Sequence, residues 1–276
     1  MRQQNYPLYE TDIVHNLKEL VDNCAVKYAG KIAFEYRLDG QVNQQVTYSQ
    51  FKSDIEALGT AFYKLGLKNC HIAVLGENSY EWIITYLAVT SGSNVIVPVD
   101  RELPPLEMKN IVAGSNCRAL IFSEKFAATI GELDAEIDQL DKLINMGAVQ
   151  DTDKVLSFLG LLEMGRKALA EGDRSFIDNP IENDRLAAII YTSGTTGVSK
   201  GVMLSQWNIA SNVVATAQHT TAFENSVLVL PLHHTFGWTA GVLCMLHIGS
   251  RIGINSSLKN VTRDMMFYKP TQMCLV

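Results

Sequence analysis

The stretch HIAVLGENSYEWIITYLAVTSGSNVIVPVD, residues 71–100, decides the fold. His71-Ile72-Ala73-Val74-Leu75 is a short apolar run, and Val95-Ile96-Val97 is a second. Between them Asn78 and Glu81 mark a helix start, Trp82, Ile83, Tyr86, Leu87 and Val89 line the helix, and Gly92 stops it. Continuous β-branched runs are what strands buried on both faces look like. Two such strands joined by a helix make a βαβ unit, which requires a mostly parallel sheet covered by helices.

The same alternation continues on both sides. Upstream, Ile13, Leu17, Leu20, Cys24 and Tyr28 recur at helical spacing. Thr47 with Gln50 three residues on resembles a capping box. It precedes Phe51, Ile55, Leu58, Phe62 and Leu65, and Gly66 ends that helix. Downstream, Pro104-Pro105 open a helix, and Arg118–Phe122 is a third strand. Residues 131–179 are polar and read as a helical peripheral insertion, with Leu156, Leu159, Leu162 and Leu169 as a weak apolar stripe. Further strands are expected at 186–191, 201–204, 227–230 and 251–254, and helices at about 206–221, 238–248 and 257–268. The closing Thr271–Val276 segment, after Pro270, reads as a buried strand inside which the chain stops, so a truncated chain is expected.

Composition narrows the class. The chain has 276 residues, 23 Lys+Arg against 29 Asp+Glu, and a net charge of −6, unlike the basic surface of a nucleic-acid binder. Hydrophobic residues are 47% and charged residues 19%, which excludes a disordered or coiled-coil chain. The longest apolar runs are about six residues, against the ~18 that a membrane helix needs, and residues 1–5 open no secretory signal. Cys24, Cys70, Cys117, Cys244 and Cys274 form no CxxC pair, so they read as buried, reduced thiols of a cytoplasmic protein rather than zinc ligands.

One segment carries chemistry: Tyr191-Thr192-Ser193-Gly194-Thr195-Thr196-Gly197-Val198-Ser199-Lys200-Gly201. It lies between two apolar strands. Glycines let backbone N–H groups approach an anion closely. Hydroxyls donate to phosphate oxygens, and Lys200 adds a positive charge. This is the inventory of a polyphosphate cradle. Most loops of this composition are plain turns. It is not the common nucleotide P-loop, because Lys200 is followed by Gly201 and a strand rather than by Ser/Thr and a helix.

Residues 191–205, YTSGTTGVSKGVMLS, resemble the signature of adenylate-forming enzymes, the superfamily of acyl-CoA synthetases, peptide-synthetase adenylation domains and beetle luciferases. Ser199 and Gln206 depart from the proline and histidine common there. His71–Asp100 resembles the family's first βαβ unit, and residues 229–238, VLPLHHTFGW, its second diagnostic block. The LLEMG element at 161–165 and Trp238 are more similar to bacterial long-chain acyl-CoA synthetases than to amino-acid adenylating domains. The resemblance implies two packed βαβ-type layered subdomains. The first spans 71–225 with the insertion 131–179, and a partial second is made of 11–70 plus 226–276, together a truncated N-terminal AMP-binding domain.

The resemblance also implies the chemistry. A carboxylate, a long-chain fatty acid in this reading, attacks Mg-ATP to give acyl-AMP and pyrophosphate, and the thiol of coenzyme A then displaces AMP. Thr192, Ser193, Gly194, Thr195, Thr196, Gly197 and Lys200 would hold the phosphates, and Thr192 would help to place Mg²⁺. His234, Phe236 and Trp238 would shape the acyl pocket. The adjacent His233 and His234 would point to opposite sides of a strand, against a shared metal, and from residues alone Trp238 is core. Asp100 and Glu102 near Arg101 read as a solvated cluster. The family's catalytic lysine belongs to a C-terminal domain for which no segment occurs here, so this chain alone is expected not to complete adenylation. Other readings are an acyl-carrier-protein ligase, an amino-acid adenylation domain, or a short non-catalytic nucleotide-binding or interaction protein. No nucleic acid and no membrane span are expected, and exposed sheet would favour self-association.

Overall fold

The computed structural model describes residues 8–38, 42–133, 137, 139–192, 199–221, 224–255 and 257–275. The segment that decided the fold is a βαβ unit as read. Strand β3 (His71–Leu75), helix α3 (Tyr80–Thr90) and strand β4 (Val95–Pro98) follow in order, and the strands pair in parallel. The helix starts one residue later than the sequence suggests. Ser79, not Asn78, is the cap, its hydroxyl accepting from Trp82 N.

Two sheets are formed. The seven-stranded sheet adds β5 (Cys117–Phe122), β6 (Lys142–Asn145), β7 (Val155–Ser157), β8 (Leu186–Thr192) and β9 (Lys200–Ser205), in the order β7-β6-β5-β3-β4-β8-β9. It is parallel throughout except for β9, which turns back antiparallel on β8. The five-stranded sheet contains β1 (Ile32–Leu38), β2 (Val42–Thr47), β10 (Asn225–Leu228), β11 (Arg251–Ile254) and β12 (Gln272–Met273), in the order β12-β10-β11-β1-β2.

Period-two alternation sorts the central strands β3, β4 and β5 of the larger sheet between two cores. Ile72, Val74, Ile96, Ala119 and Ile121 face one cluster, and Ala73, Leu75, Val97, Leu120 and Phe122 the other. The first cluster lies between the two sheets. It is filled by α1 (Leu17–Lys27), α2 (Tyr48–Lys64), α3, α6 (Phe158–Ala170) and α7 (Gln206–Gln218), together with Phe34, Ile252 and Ile254 of the smaller sheet. The second is capped by α4 (Pro105–Gly114) and α5 (Ala127–Leu133). On the far face of the smaller sheet, α10 (Val261–Tyr268) lays Tyr268 over Gly253, where a Cβ would sit 2.5 Å from the ring.

The segment 131–179 differs from expectation. It supplies β6 and β7, which extend the parallel sheet, and only then the helix α6. The expected leucine stripe is therefore divided: Leu156 lies in a strand, Leu162 is buried, and Leu159 is exposed. Gly165 lets α6 lie directly on α2, because a Cβ there would come 1.8 Å from the Ala57 carbonyl oxygen. The closing strand is also shorter than expected. Among its described residues only Gln272 and Met273 pair, both half-buried, and Leu275 is exposed. Four of the cysteines are buried and Cys274 is half-buried, all of them free thiols.

Candidate active site

Strands β8 and β9 form a hairpin whose last register pair is Thr192 with Lys200. Both side chains are exposed at its open end. Gly201 pairs with Tyr191, and a Cβ there would come 2.9 Å from Ile189 Cγ2, so glycine keeps the hairpin regular beside bulky neighbours. Ser193, Gly194, Thr195, Thr196 and Gly197 lie outside the described residues. Among the described residues no three His, Cys, Asp or Glu side chains gather as a metal site. Thr192 offers one neutral oxygen, so a magnesium ion here would rest on phosphate oxygens and water that arrive with the nucleotide.

The same hairpin forms one wall of a cleft of about 400 Å³. Ile190 and Leu204 line it from the two strands, Tyr86 from α3 and Pro98 from β4. Leu232, His233, Phe236 and Trp238 line it from the segment after β10, and one face of α7 completes it. That segment enters α8 (Thr235–Trp238), continues through a π-helical turn (Thr239–Leu243) and ends in α9 (Cys244–His247). Thr239 and Ala240 of the π turn reach the cleft; such turns recur at functional sites.

The expected acyl-pocket residues are placed differently from one another. Trp238 is 3% exposed. Its ring tilts against Tyr86 at 4.2 Å and meets Trp82 edge-on at 5.4 Å, so it is core and cleft wall at once. The Trp238 Nε1–H has no acceptor at hydrogen-bond geometry. The Tyr86 hydroxyl is close enough to feel it, but burial dominates and pushes the Tyr86 hydroxyl upward. Phe236 is exposed at the rim. His234 is exposed and is not among the residues that line the cleft, whereas His233 is. The two imidazole centroids are 4.2 Å apart.

His233 is buried, and its Nε2 lies 3.2 Å from Asp100 Oδ1. Burial lowers its pKa to about 4, and the nearby His234 and Arg101 act in the same direction against Asp100. The imidazole is therefore neutral at pH 7 and lies against the Asp100 carboxylate. A second tie comes from Asn78, whose Nδ2 donates to the Leu230 carbonyl (2.9 Å) while its Oδ1 accepts from Leu232 N (3.1 Å). The carboxyl ends of β3 and β4 thus hold the loop that carries the cleft wall. The sequence reading missed both ties. Asn78 looks like a helix cap and Asp100 like surface, since their partners are more than 130 residues away. Tyr86 was read only as a core position.

A family model described as "AMP-binding enzyme" matches residues 21–276. The chain belongs to the AMP-binding enzyme family. Human medium-chain acyl-CoA ligase ACSF2, mitochondrial, is 24% identical over 241 residues, covering 78% of this chain and 39% of that protein. Long chain acyl-CoA synthetase 7, peroxisomal, of Arabidopsis thaliana is 26% identical over 281 residues, covering 96% and 38%. This AMP-binding chain spans less than half the length of these relatives. Among solved structures, a long-chain-fatty-acid-CoA ligase (FadD1) from Archaeoglobus fulgidus superposes with a TM-score of 0.81 at 18% identity, over 98% of this chain and 52% of that one. The anthranilate CoA ligase AuaEII in complex with anthranoyl-AMP gives 0.80 at 19%, over 99% and 51%. The mixed α/β fold with parallel sheets flanked by helices is therefore that of these ligases. No helix among the described residues is long and apolar enough to cross a membrane.

Proposed function

We propose that this chain is the phosphate-binding and acid-binding part of an ATP-dependent carboxylate–CoA ligase, which forms an acyl-adenylate and then an acyl-CoA thioester. One observation carries the reading: a single hairpin bears the hydroxyl-, glycine- and lysine-rich loop at its tip and the floor of a 400 Å³ cleft, Ile190 and Leu204, along its length. Phosphate and acid would meet along that hairpin.

The difficulty of the first half-reaction is charge, since a carboxylate must approach a polyanion. Lys200 would offset the charge on the departing pyrophosphate. Ser193, Thr195, Thr196 and the backbone of Gly194 and Gly197 would hold the β- and γ-phosphates. Thr192 would orient the magnesium ion carried by the nucleotide. Phe236 and Trp238 would bound the acid and exclude water from it, and His234, exposed and outside the cleft lining, would have to turn in to border its carboxylate. Coenzyme A would be the acceptor thiol. A long-chain fatty acid is the acid suggested by the sequence resemblance, and relatives named as medium-chain and long-chain ligases support an acyl substrate.

Calorimetric titration of the chain with Mg-ATP tests the reading. Binding should be saturable and weakened at least tenfold in Lys200→Ala. An unchanged affinity in that variant removes the role given to Lys200, and no binding by the unaltered chain removes the phosphate site.

A further inference from the structure

The cleft has an outer rim and an inner end. Asn208, Asn212 and Phe236 at the rim are exposed to solvent. Tyr86 and Trp238 at the inner end are 1% and 3% exposed, and their rings lie 4.2 Å apart. Trp82 stands behind both, 5.7 Å from Tyr86 and 5.4 Å from Trp238, and does not line the cleft. This aromatic layer is held in place. Every residue of α3 except Glu81 is buried, so Tyr86 is carried on a helix locked into the core. Close-packed rings of this kind keep one arrangement.

The size of the cleft gives its inner end a consequence. A volume of about 400 Å³ is near the lower end of the ~300–1,000 Å³ range of small-ligand sites. Pro98, Ile190, Leu204 and Leu232 make its sides apolar. Each methylene of a tail lying between them leaves water and should strengthen binding about fourfold. Once the tail meets the Tyr86 ring, a further carbon must stay in water or overlap a packed core, and overpacking opposes binding.

Resting on the ligase reading above, we infer that Tyr86 is a specificity-determining residue. Its ring ends the acid pocket, so the cleft selects acids whose tail stops there over long-chain acids. In that reading the carboxylate faces the phosphates at the hairpin tip, and the tail is the part that runs inward.

The test is calorimetric titration of the chain with straight-chain acids from hexanoate to tetradecanoate. Affinity should climb with each added carbon and then stop climbing within the series. Tyr86→Ala should move that break to acids longer by about two carbons or more, because deleting the ring leaves a cavity that its neighbours only partly fill. Tyr86→Leu should move it less, and carries the test if the alanine variant does not fold. Tyr86→Phe keeps the ring and should leave the break in place. A purely structural role would weaken all the acids in one ratio without moving the break. An affinity that climbs unbroken through tetradecanoate overturns the inference and leaves the ligase reading intact. So does an unmoved break in a folded alanine or leucine variant. Failure of every acid to bind overturns the acid-site reading itself, and the inference with it.

Discussion

His233 and Asp100 join the two sheets at the mouth of the cleft, with Nε2 and Oδ1 3.2 Å apart. Asp100 follows the last residues of β4 in the larger sheet, and His233 follows β10 in the smaller one. The imidazole is neutral at pH 7, so the contact is polar rather than an ion pair. Asp100→Asn keeps a polar group against Nε2 and should cost under about 0.5 kcal/mol. Asp100→Ala leaves the buried imidazole without that polar neighbour and should cost about 1–2 kcal/mol. Urea unfolding of the two variants checks the difference, and equal losses would remove the contact from the account.

Acid should destabilise the protein earlier than carboxylate protonation alone would. The folded pKa of His233 is lowered to about 4, below the ordinary value of 6.5, and that of His247 is lowered as well, burial being the first cause for both. The unfolded chain therefore binds more protons between pH 6.5 and about 4, and stability falls as pH falls through that window. For His233 the loss is about 2 kcal/mol after allowance for its partial contact with solvent. His233→Gln should flatten the curve there. An identical pH profile in a folded variant would show that His233 titrates normally.

Asn78→Ala leaves the Leu230 carbonyl and the Leu232 N–H without their partner. About 2 kcal/mol of stability should be lost. Because this loop carries Leu232, Phe236 and Trp238, binding of acids should weaken more than binding of Mg-ATP. Parallel titrations with the two ligands measure the split. Equal weakening of both would point to a general loss of structure.

Trp238→Ala removes an aromatic wall shared with Tyr86 and Trp82 and should cost about 3–5 kcal/mol. Trp238→Phe should be far milder, since it keeps an aromatic ring and deletes an N–H that has no acceptor. Thermal denaturation of the pair reports the difference. A phenylalanine variant as unstable as the alanine one would mean that the N–H has a role.

Gly165→Ala should be among the most damaging single-methyl additions in the chain. The new Cβ would meet the Ala57 carbonyl, which is backbone of α2 and cannot rotate aside. A loss of about 3 kcal/mol is expected. The same change at the solvent-facing Gly114, where no atom lies within 4 Å, should do no harm. Equal melting points for the two variants would contradict the close packing of α2 and α6.

Local pattern made much of this protein legible. The βαβ unit at 71–98, the α2 helix with its Thr47 cap, and the two strands that flank the loop after Thr192 could be read because each depends on neighbours in the chain. The segment 131–179 was misread for a related reason. Its strands are only four and three residues long, and four leucines scattered across a strand and a helix mimic one weak helical stripe.

What the sequence determined by itself was the alternation of strand and helix, the fold class, and the family, because hydrophobic period and the order of residues 191–205 are properties of the chain alone. Tertiary structure alone decided that Asn78 and Asp100 are ties rather than a cap and a surface charge. It also placed His233, not His234, against the cleft, and set Tyr86 of α3 beside Trp238. Those facts depend on contacts across more than a hundred residues. Local propensity carries no information about them, because the partner's position is fixed only when the two sheets close on their shared core.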